Sequence, residues 1–437
     1  MQISTMTAPH FARRVSLLGS ENAFKIAPLI REIEQRGERV IKCHVGEPDF
    51  PLPGHIAREV KRQIDLGMTH YGDPQGLESL RATVARDVGA SRGIKITPDR
   101  VVIFPGAKPP IGMAQHIYCD PGDEVIYPSP GFPIYESFTR YLGAVPVPMH
   151  LHHENGFTCG AAELAPLISE RTRLIYLNFP SNPTGGVATR EQLEELADVI
   201  LRRAPDDVRV YSDEVYERIL FAGARHHSIA SLPGMEERTI IVSGVSKTYA
   251  WTGGRVGWAI LPTVEEAQAF LNLNINYLSC VSGYNQLGAK LAIESPESEP
   301  EIKAMVAEFQ HRRDVVVERL NSIPGVTCPT PKGAFYLFPD IAGVCERVGA
   351  VEAWNRLPRS AREGSSPSTL FQRYLLFDHH VATLDRRSFG AIGHEGKHYL
   401  RISIATGLED LMEATFRIAL AADNPEGFQS FVARMTP

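Results

Sequence analysis

Six short, almost unbroken apolar runs, each bounded by Gly, Pro, Asn or Asp, set the strongest limit on how this chain can fold. They are Val101–Phe104, Glu124–Tyr127, Arg173–Asn178, Val208–Ser212, Thr239–Ser243 and Trp258–Leu261. All are rich in β-branched or aromatic residues, without the alternation of a strand that has one wet face. A strand apolar on both sides must be covered on both sides, as in a largely parallel sheet between helical layers. Helices fit between the runs. Within Thr189–Ala204, Leu193, Leu196, Ala197, Ile200 and Leu201 share one helical stripe. Thr189 is placed to cap that helix, with Gln192 as its capping-box partner. Strands alternating with helices of this length predict an α/β domain over about residues 52–300.

The remainder reads differently. Pro300–Ile323 has the character of a long charged amphipathic helix, and Gly333–Phe338 and His398–Ile404 of strands. Between those strands, Glu346–Thr369 is polar and rich in Arg, Gly, Ser and Pro, which predicts a loop mobile around Glu363–Ser368. Residues 301–437, joined by the arm 1–51, are expected to form a smaller α+β domain.

A chain of 437 residues, 43% hydrophobic, buries enough core to need no disulfide or structural metal. Its six cysteines are scattered, as expected of reduced thiols in a cytoplasmic protein. The net charge of −6 argues against nucleic acid or an anionic membrane as partner. The first residues, MQISTMTAPHFARR, lack the apolar core of a secretory signal, and no stretch reaches the ~18 apolar residues of a membrane span. Three His-His pairs, at 152–153, 226–227 and 379–380, have loop-like flanks and no third ligand at suitable spacing, so they are expected on the surface with no metal.

In a parallel sheet, ligands gather beyond the carboxyl ends of the strands, so the informative residues directly follow the runs. After the first come Gly106, Ala107 and Lys108, a turn that opens a helix and can present backbone N–H groups to an anion. Phe132 follows the second and either packs in the core or stacks on a planar ring. Asn182, after the third, is either an Asx-turn residue or an amide offered to a ligand. Asp213 closes the fourth, where a buried acid needs a salt bridge, a helix to cap or a cationic ligand. After the fifth, Ser246 and Lys247 precede Gly253, Gly254 and Arg255. A lysine at a strand end among small hydroxylated residues suits Schiff-base chemistry, and Arg255 suits a phosphate clamp.

These residues resemble those of the class I/II aminotransferase family, enzymes of fold-type I that use pyridoxal 5′-phosphate. The run Ser-Lys-Thr-Tyr-Ala-x-Thr-Gly-x-Arg-x-Gly from Ser246 to Gly257 carries the likeness most specifically. Asn182-Pro-Thr-Gly, Asp213-Glu-x-Tyr216, Arg401-Ile-Ser-x-Ala405, Gly46–Phe50, Tyr71–Leu77 and Gly333–Tyr336 also stand in the family's order. The resemblance implies a three-layer α/β/α large domain with a mostly parallel seven-stranded sheet. It implies that Lys247 holds the cofactor as a Schiff base and moves the α-proton, and that Asp213 pairs with the pyridine nitrogen. Asn182 and Tyr216 then bond the phenolic oxygen, and Phe132 stacks on the ring. Gly106, Ala107, Lys108, Ser246 and Arg255 hold the phosphate, joined by Tyr71 of a neighbouring subunit in a homodimer with shared active sites. Arg401, assisted by Gly46 and Asn182, binds the substrate carboxylate. The implied reaction moves an amino group between an L-amino acid and a 2-oxo acid by ping-pong chemistry.

The chain departs from the family where Gly254 precedes the phosphate arginine, where Gly244 lies three residues before the lysine, and where Asp385-Arg386-Arg387 replaces a Pro-Gly turn. Arg386 and Arg387 either face solvent or recognise an acidic, phosphorylated or nucleotide-like substrate, with 346–369 as a lid. The lysine that some aspartate-specific relatives carry near the position of Gly19 is missing. Two other functions remain: elimination, replacement, cyclisation or racemisation on the same cofactor, and a cofactor-sensing regulator. The regulator would need a nucleic-acid-binding domain for which the N-terminal segment is too short.

Overall fold

The computed structural model describes residues 10–19, 21–391 and 397–435; residues 1–9, part of the arm read above, lie outside them. Its strands in chain order are β1 (Ile41–Lys42), β2 (Val101–Phe104), β3 (Glu124–Ser129), β4 (Val145–His150), β5 (Thr172–Asn178) and β6 (Arg209–Asp213). There follow β7 (Thr239–Gly244), β8 (Gly257–Ile260), β9 (Tyr336–Leu337), β10 (Val381–Ala382), β11 (Leu384–Asp385) and β12 (Leu400–Ser403).

Seven of these form one sheet in the order β2-β8-β7-β6-β5-β3-β4. Only β8 runs against its neighbours β2 and β7; the other pairings are parallel. Both faces are covered, as the apolar runs require. Along β2, Val102 and Phe104 enter one core and Val101 and Ile103 another. Each such side chain contributes about 1.5–3 kcal/mol by leaving water. The helix Arg190–Arg203 lies against one face through Leu193, Leu196, Ala197 and Ile200, and Thr189 caps it with the expected Gln192 box. Of these seven, the strand absent from the sequence reading is β4, whose Pro146 and Pro148 break the apolar pattern. It is an edge strand, where a missing N–H is tolerated.

The C-terminal part holds the antiparallel sheet β11-β12-β9 and a core that includes Phe309, Phe335 and Phe371. The predicted long helix spans Ser298–Asn321. From the N-terminal segment, β1 pairs in parallel with β10. The loop expected over 346–369 is instead helical: Ala342–Arg347, Ala350–Asn355, Arg359–Glu363 and the start of Pro367–Phe377. Its Gly, Ser and Pro residues are helix punctuation. Gly349 adopts φ 77° between the first two helices, and Ser366 caps the last by accepting from the Thr369 N–H, with Pro367 in its first turn. Trp354 donates to Ser365 Oγ at 3.1 Å, and Ala350 and Ala353 are buried. No described helix is long and apolar enough to cross a membrane.

Candidate active site

A cavity of about 700 Å³ opens beyond the carboxyl ends of the strands. It brings together Ala107, Lys108, Phe132, Asn182, Asp213 and Tyr216 from the sequence reading, with Ser246, Lys247, Arg255, Gly46 and Arg401. Those that follow β2, β3, β5, β6 and β7 converge because the parallel strands end on one edge, while Gly46 follows β1 and Arg401 lies in β12 of the smaller sheet.

Lys247 lies in the short helix Val245–Thr248, directly after β7. Its Nζ donates to the Gly46 carbonyl at 2.6 Å and lies 5.9 Å from the ring centroids of Tyr216 and Phe335. Burial pushes this amine down to about 8, with Arg401 and Arg255 adding to the effect and Glu47 opposing it. A lysine of that basicity has a substantial neutral fraction near physiological pH, as a nucleophile and base must.

Asp213 ends β6 on the cavity floor. Burial raises its carboxyl to about 6, against a 2.7 Å hydrogen bond that Tyr135 donates to Oδ2. Oδ1 is buried without a partner. A buried carboxylate with a free lone pair costs stability unless a cationic N–H completes it. Neighbouring Asn178 donates to the Asp213 carbonyl at 3.2 Å and accepts from the Asn182 N–H at 2.9 Å.

An anion cradle forms where the helix Pro109–Tyr118 begins. Gly106 adopts φ +95°, and a Cβ there would lie 2.1 Å from Arg255 Nη2. The Arg255 guanidinium donates to the carbonyls of Pro105 at 2.9 Å and Thr252 at 2.8 Å. It is thus held beside the N–H groups of the turn and near Ser246, and opening N–H groups of a helix favour an anion.

On the opposite wall Arg401 is 4% exposed. Its Nη1 donates to Asn182 Oδ1 at 3.1 Å and its Nη2 to the His44 carbonyl, while Nε has no partner. The guanidinium lies 4.6 Å from the Tyr336 centroid and 5.0 Å from that of Phe389. No carboxylate pairs with it among the described residues, so a substrate carboxylate completes it well. Tyr216 and Tyr336 share a hydrogen bond of 2.8 Å between their hydroxyls. A Cβ on Gly46 would lie 2.3 Å from the Tyr336 hydroxyl.

Sequence reading missed Tyr135, Asn178 and Tyr336. The last lay inside the quoted Gly333–Tyr336 motif; the other two show only through contacts across the fold. Tyr71 is 91% exposed and does not line the cavity. The two arginines need correction. Arg386 is buried and donates to Ser129 Oγ and to the carbonyls of Phe389, Gly390 and Ala391. Arg387 donates to the Glu363 carbonyl, closing the end of a helix. Neither lines the cavity: both guanidiniums satisfy backbone carbonyls rather than await a substrate. The surface expected for the histidine pairs also fails at His226, whose Nε2 lies 3.1 Å from buried Glu214. Glu214, Glu217 and His226 cluster at metal-ligand spacing, but Arg92 already pairs with both carboxylates.

A weakly basic lysine facing an under-satisfied carboxylate, an anion cradle and an arginine without a carboxylate partner is the equipment of an enzyme that can hold anionic groups and react through an amine. Residues 38–417 match the family model for aminotransferase class I and II. The chain is 35% identical over 382 residues to an aspartate aminotransferase of Pyrococcus abyssi, covering 87% of this chain and 90% of that one. It is 32% identical over 413 residues to a probable aspartate/prephenate aminotransferase of Aquifex aeolicus, covering 94% and 98%. The crystal structure of the aspartate aminotransferase of Rhizobium meliloti superposes with a TM-score of 0.85 at 33% identity, covering 95% of this chain and 99% of that one. The chain belongs to the class I and II aminotransferase family, and it is a transaminase with the fold-type I architecture.

Proposed function

We propose that this enzyme binds pyridoxal 5′-phosphate in the cavity and moves an amino group between an L-amino acid and a 2-oxo acid. The carrying observation is that Lys247 Nζ and the Arg401 guanidinium face one cavity floored by Asp213. The residues fit the cofactor. The orphaned Asp213 Oδ1 suits a protonated ring nitrogen, and the Gly106 turn with Ala107, Lys108, Ser246 and Arg255 suits a phosphate. Phe132 offers a ring face, and Asn182 and Tyr216 offer hydrogen bonds to a phenolic oxygen. When bound, the cofactor supplies an aldehyde for amine exchange and a conjugated ring that takes up the electron pair left by the α-proton.

The chain's own groups do the rest. Arg401 holds the substrate carboxylate and so orients the α-carbon. Lys247 would take the α-proton at Nζ and later return a proton. Asp213, with Oδ1 unpartnered, would hold a protonated ring nitrogen through its carboxylate. Product leaves as a 2-oxo acid before the second substrate enters, so the kinetics are ping-pong.

We place the enzyme as a cytoplasmic homodimer. Large exposed side chains at Phe11, Phe24, Leu66, Tyr71 and Tyr277, each at least 61% exposed, support a protein partner. Tyr71 would reach the phosphate of the neighbouring site. All six cysteines are free thiols, which supports a reducing compartment.

An absorbance titration of the holoenzyme against a panel of amino acids tests the reaction. Bleaching of the lysine-bound cofactor band as pyridoxamine phosphate forms, reversed by a 2-oxo acid, is the expected result. A spectrum that returns to its start with elimination products would sink the reading.

A further inference from the structure

Ser388 and Phe389 bring the turn Arg386–Phe389, which follows β11, into the cavity wall. The Phe389 ring lies 5.0 Å from the Arg401 guanidinium, so the place of this turn bears on how Arg401 meets a carboxylate. Its own side chains fasten the turn. Buried Asp385 accepts from the hydroxyls of Thr369 and Ser388, and Arg387 donates to the Glu363 carbonyl. Arg386 ties the turn to the large sheet. Its Nη2 donates to Ser129 Oγ, at the end of β3, at 3.1 Å and to the Ala391 carbonyl at 2.7 Å. Its Nη1 donates to the Gly390 carbonyl at 3.2 Å. Across the same seam the Gly131 N–H donates to the Phe389 carbonyl at 3.0 Å, and Phe132, the next residue, lines the cavity.

All hydrogen bonds of Arg386 among the described residues go to neutral oxygens. A charge buried in this way adds little stability over an apolar side chain of similar volume. What a guanidinium adds is geometry, because a planar fork reaches oxygens on two segments at once and fixes their separation. Here the two segments are the end of β3, which leads to Phe132, and the turn that carries Phe389. Removing the fork leaves other bonds across the seam. The Phe389 carbonyl keeps the Gly131 N–H, and the Ala391 carbonyl keeps the Ser129 hydroxyl.

Resting on the aminotransferase reading for the reaction itself, we propose that Arg386 is a positioning residue, whose guanidinium clasps the Phe389 turn to the end of β3 and so holds Arg401 ready for the substrate carboxylate. It acts through Phe389 and lies outside the cavity lining.

Hydrogen exchange and calorimetric binding of maleate by the holoenzyme, natural, Arg386→Met and Arg386→Lys, test the clasp. Maleate is a carboxylate probe that needs no amine exchange. Both variants lose the fork, and Arg386→Lys keeps the charge should Arg386→Met fail to fold. We expect the peptide that holds Gly131 to exchange about tenfold faster and maleate to bind about tenfold more weakly. The absorbance band of the lysine-bound cofactor should keep its position and pH dependence, and in turnover the loss should fall on KM rather than kcat. Unchanged exchange at Gly131 overturns the clasp. Faster exchange with maleate affinity unchanged, or with no maleate bound by the natural chain, overturns the positioning role. Loss of the cofactor band in both variants overturns it as well, because the damage is then general. Absence of amino transfer by the natural holoenzyme counts against the aminotransferase reading alone, because exchange and maleate binding still decide the role of Arg386.

Discussion

The Tyr135 phenol donates a 2.7 Å hydrogen bond to Oδ2 of Asp213, and both residues are buried beneath the cavity. Tyr135 is itself held by stacking on Tyr176, with centroids 4.4 Å apart, and Tyr176 donates to the Ile111 carbonyl at 2.8 Å. Asp213 is therefore positioned from behind by a hydroxyl that cannot turn away. Burial drives its carboxyl upward, and this bond is the largest opposing influence. Tyr135→Phe keeps the ring and removes the bond, so the carboxyl must rise further. A hydrogen bond to a charged group is worth about 1.5–3 kcal/mol, or roughly 10–100-fold. We expect pyridoxal phosphate affinity to fall by that order and the acid limb of kcat/KM to move to higher pH. An unchanged acid limb, with lowered stability alone, would show that Tyr135 only fills space.

Lys247 offers a test in pH. Its amine lies near 8 rather than the ordinary 10.5 because burial disfavours the ammonium. Capture of added pyridoxal phosphate by the apoenzyme needs the neutral amine, whose fraction grows as pH rises through the pKa. The capture rate should climb through a midpoint near 8 and then level off. Glu47→Gln removes the charge that most supports the ammonium, so the midpoint should move lower still. Stopped-flow absorbance from pH 6 to 10 would follow both; a rate still climbing at the upper end contradicts the placement of Lys247.

The β2, β5 and β7 strands were legible because a run apolar on both faces admits few alternatives. β4 was not, because Pro146 and Pro148 are acceptable only to a strand already known to lie at an edge. The same division separates the site residues. Lys247, Asp213 and Arg401 stand in local motifs. Tyr135 becomes functional only because the chain brings it against Asp213, 78 residues away. Arg386 and Arg387 show the opposite error: charges in a turn invite a ligand, but unfilled backbone carbonyls bind guanidinium equally well. Likewise the Ser366-Pro367 pair reads as loop until its capping role is seen.

The pairing of Arg92 with Glu214 and Glu217 should contribute strongly to stability at the carboxyl end of the central strand β6. The side chains of Arg92 and Glu214 are 4% and 1% exposed. Burial would raise the Glu214 carboxyl, but the Arg92 charge and hydrogen bonds from His226 and Ser228 outweigh it and hold the carboxyl well below the carboxylate range. Arg92→Met removes the guanidinium and leaves the buried Glu214 carboxylate to Ser212, Ser228 and His226, which costs up to about 3–5 kcal/mol. A carboxyl depressed in the folded state stabilises it above its unfolded pKa, and that contribution fades as pH falls below about 4.5. Urea unfolding should therefore show a large gap between the two chains at pH 7 that narrows toward pH 3. A gap under about 1 kcal/mol at pH 7 would mean that solvent reaches the cluster.

Gly106→Ala isolates the anion cradle. The residue adopts φ +95°, where an L side chain costs about 1–2 kcal/mol, and its new Cβ would lie 2.1 Å from Arg255 Nη2. The guanidinium is the movable partner, so it must swing out of the cradle. Gly93→Ala provides the comparison. It has φ +67° at the end of the helix Glu78–Arg92, and nothing lies within 4 Å of its added Cβ. Both variants should lose similar stability, read by thermal unfolding. Only Gly106→Ala should weaken pyridoxal phosphate binding, by about 10–100-fold for a displaced charge-assisted contact. Inorganic phosphate should protect the natural apoenzyme and Gly93→Ala against heat, and Gly106→Ala much less. If phosphate protects all three equally, the cradle does not depend on Arg255, and the anion must be held by the backbone N–H groups at the start of the helix alone.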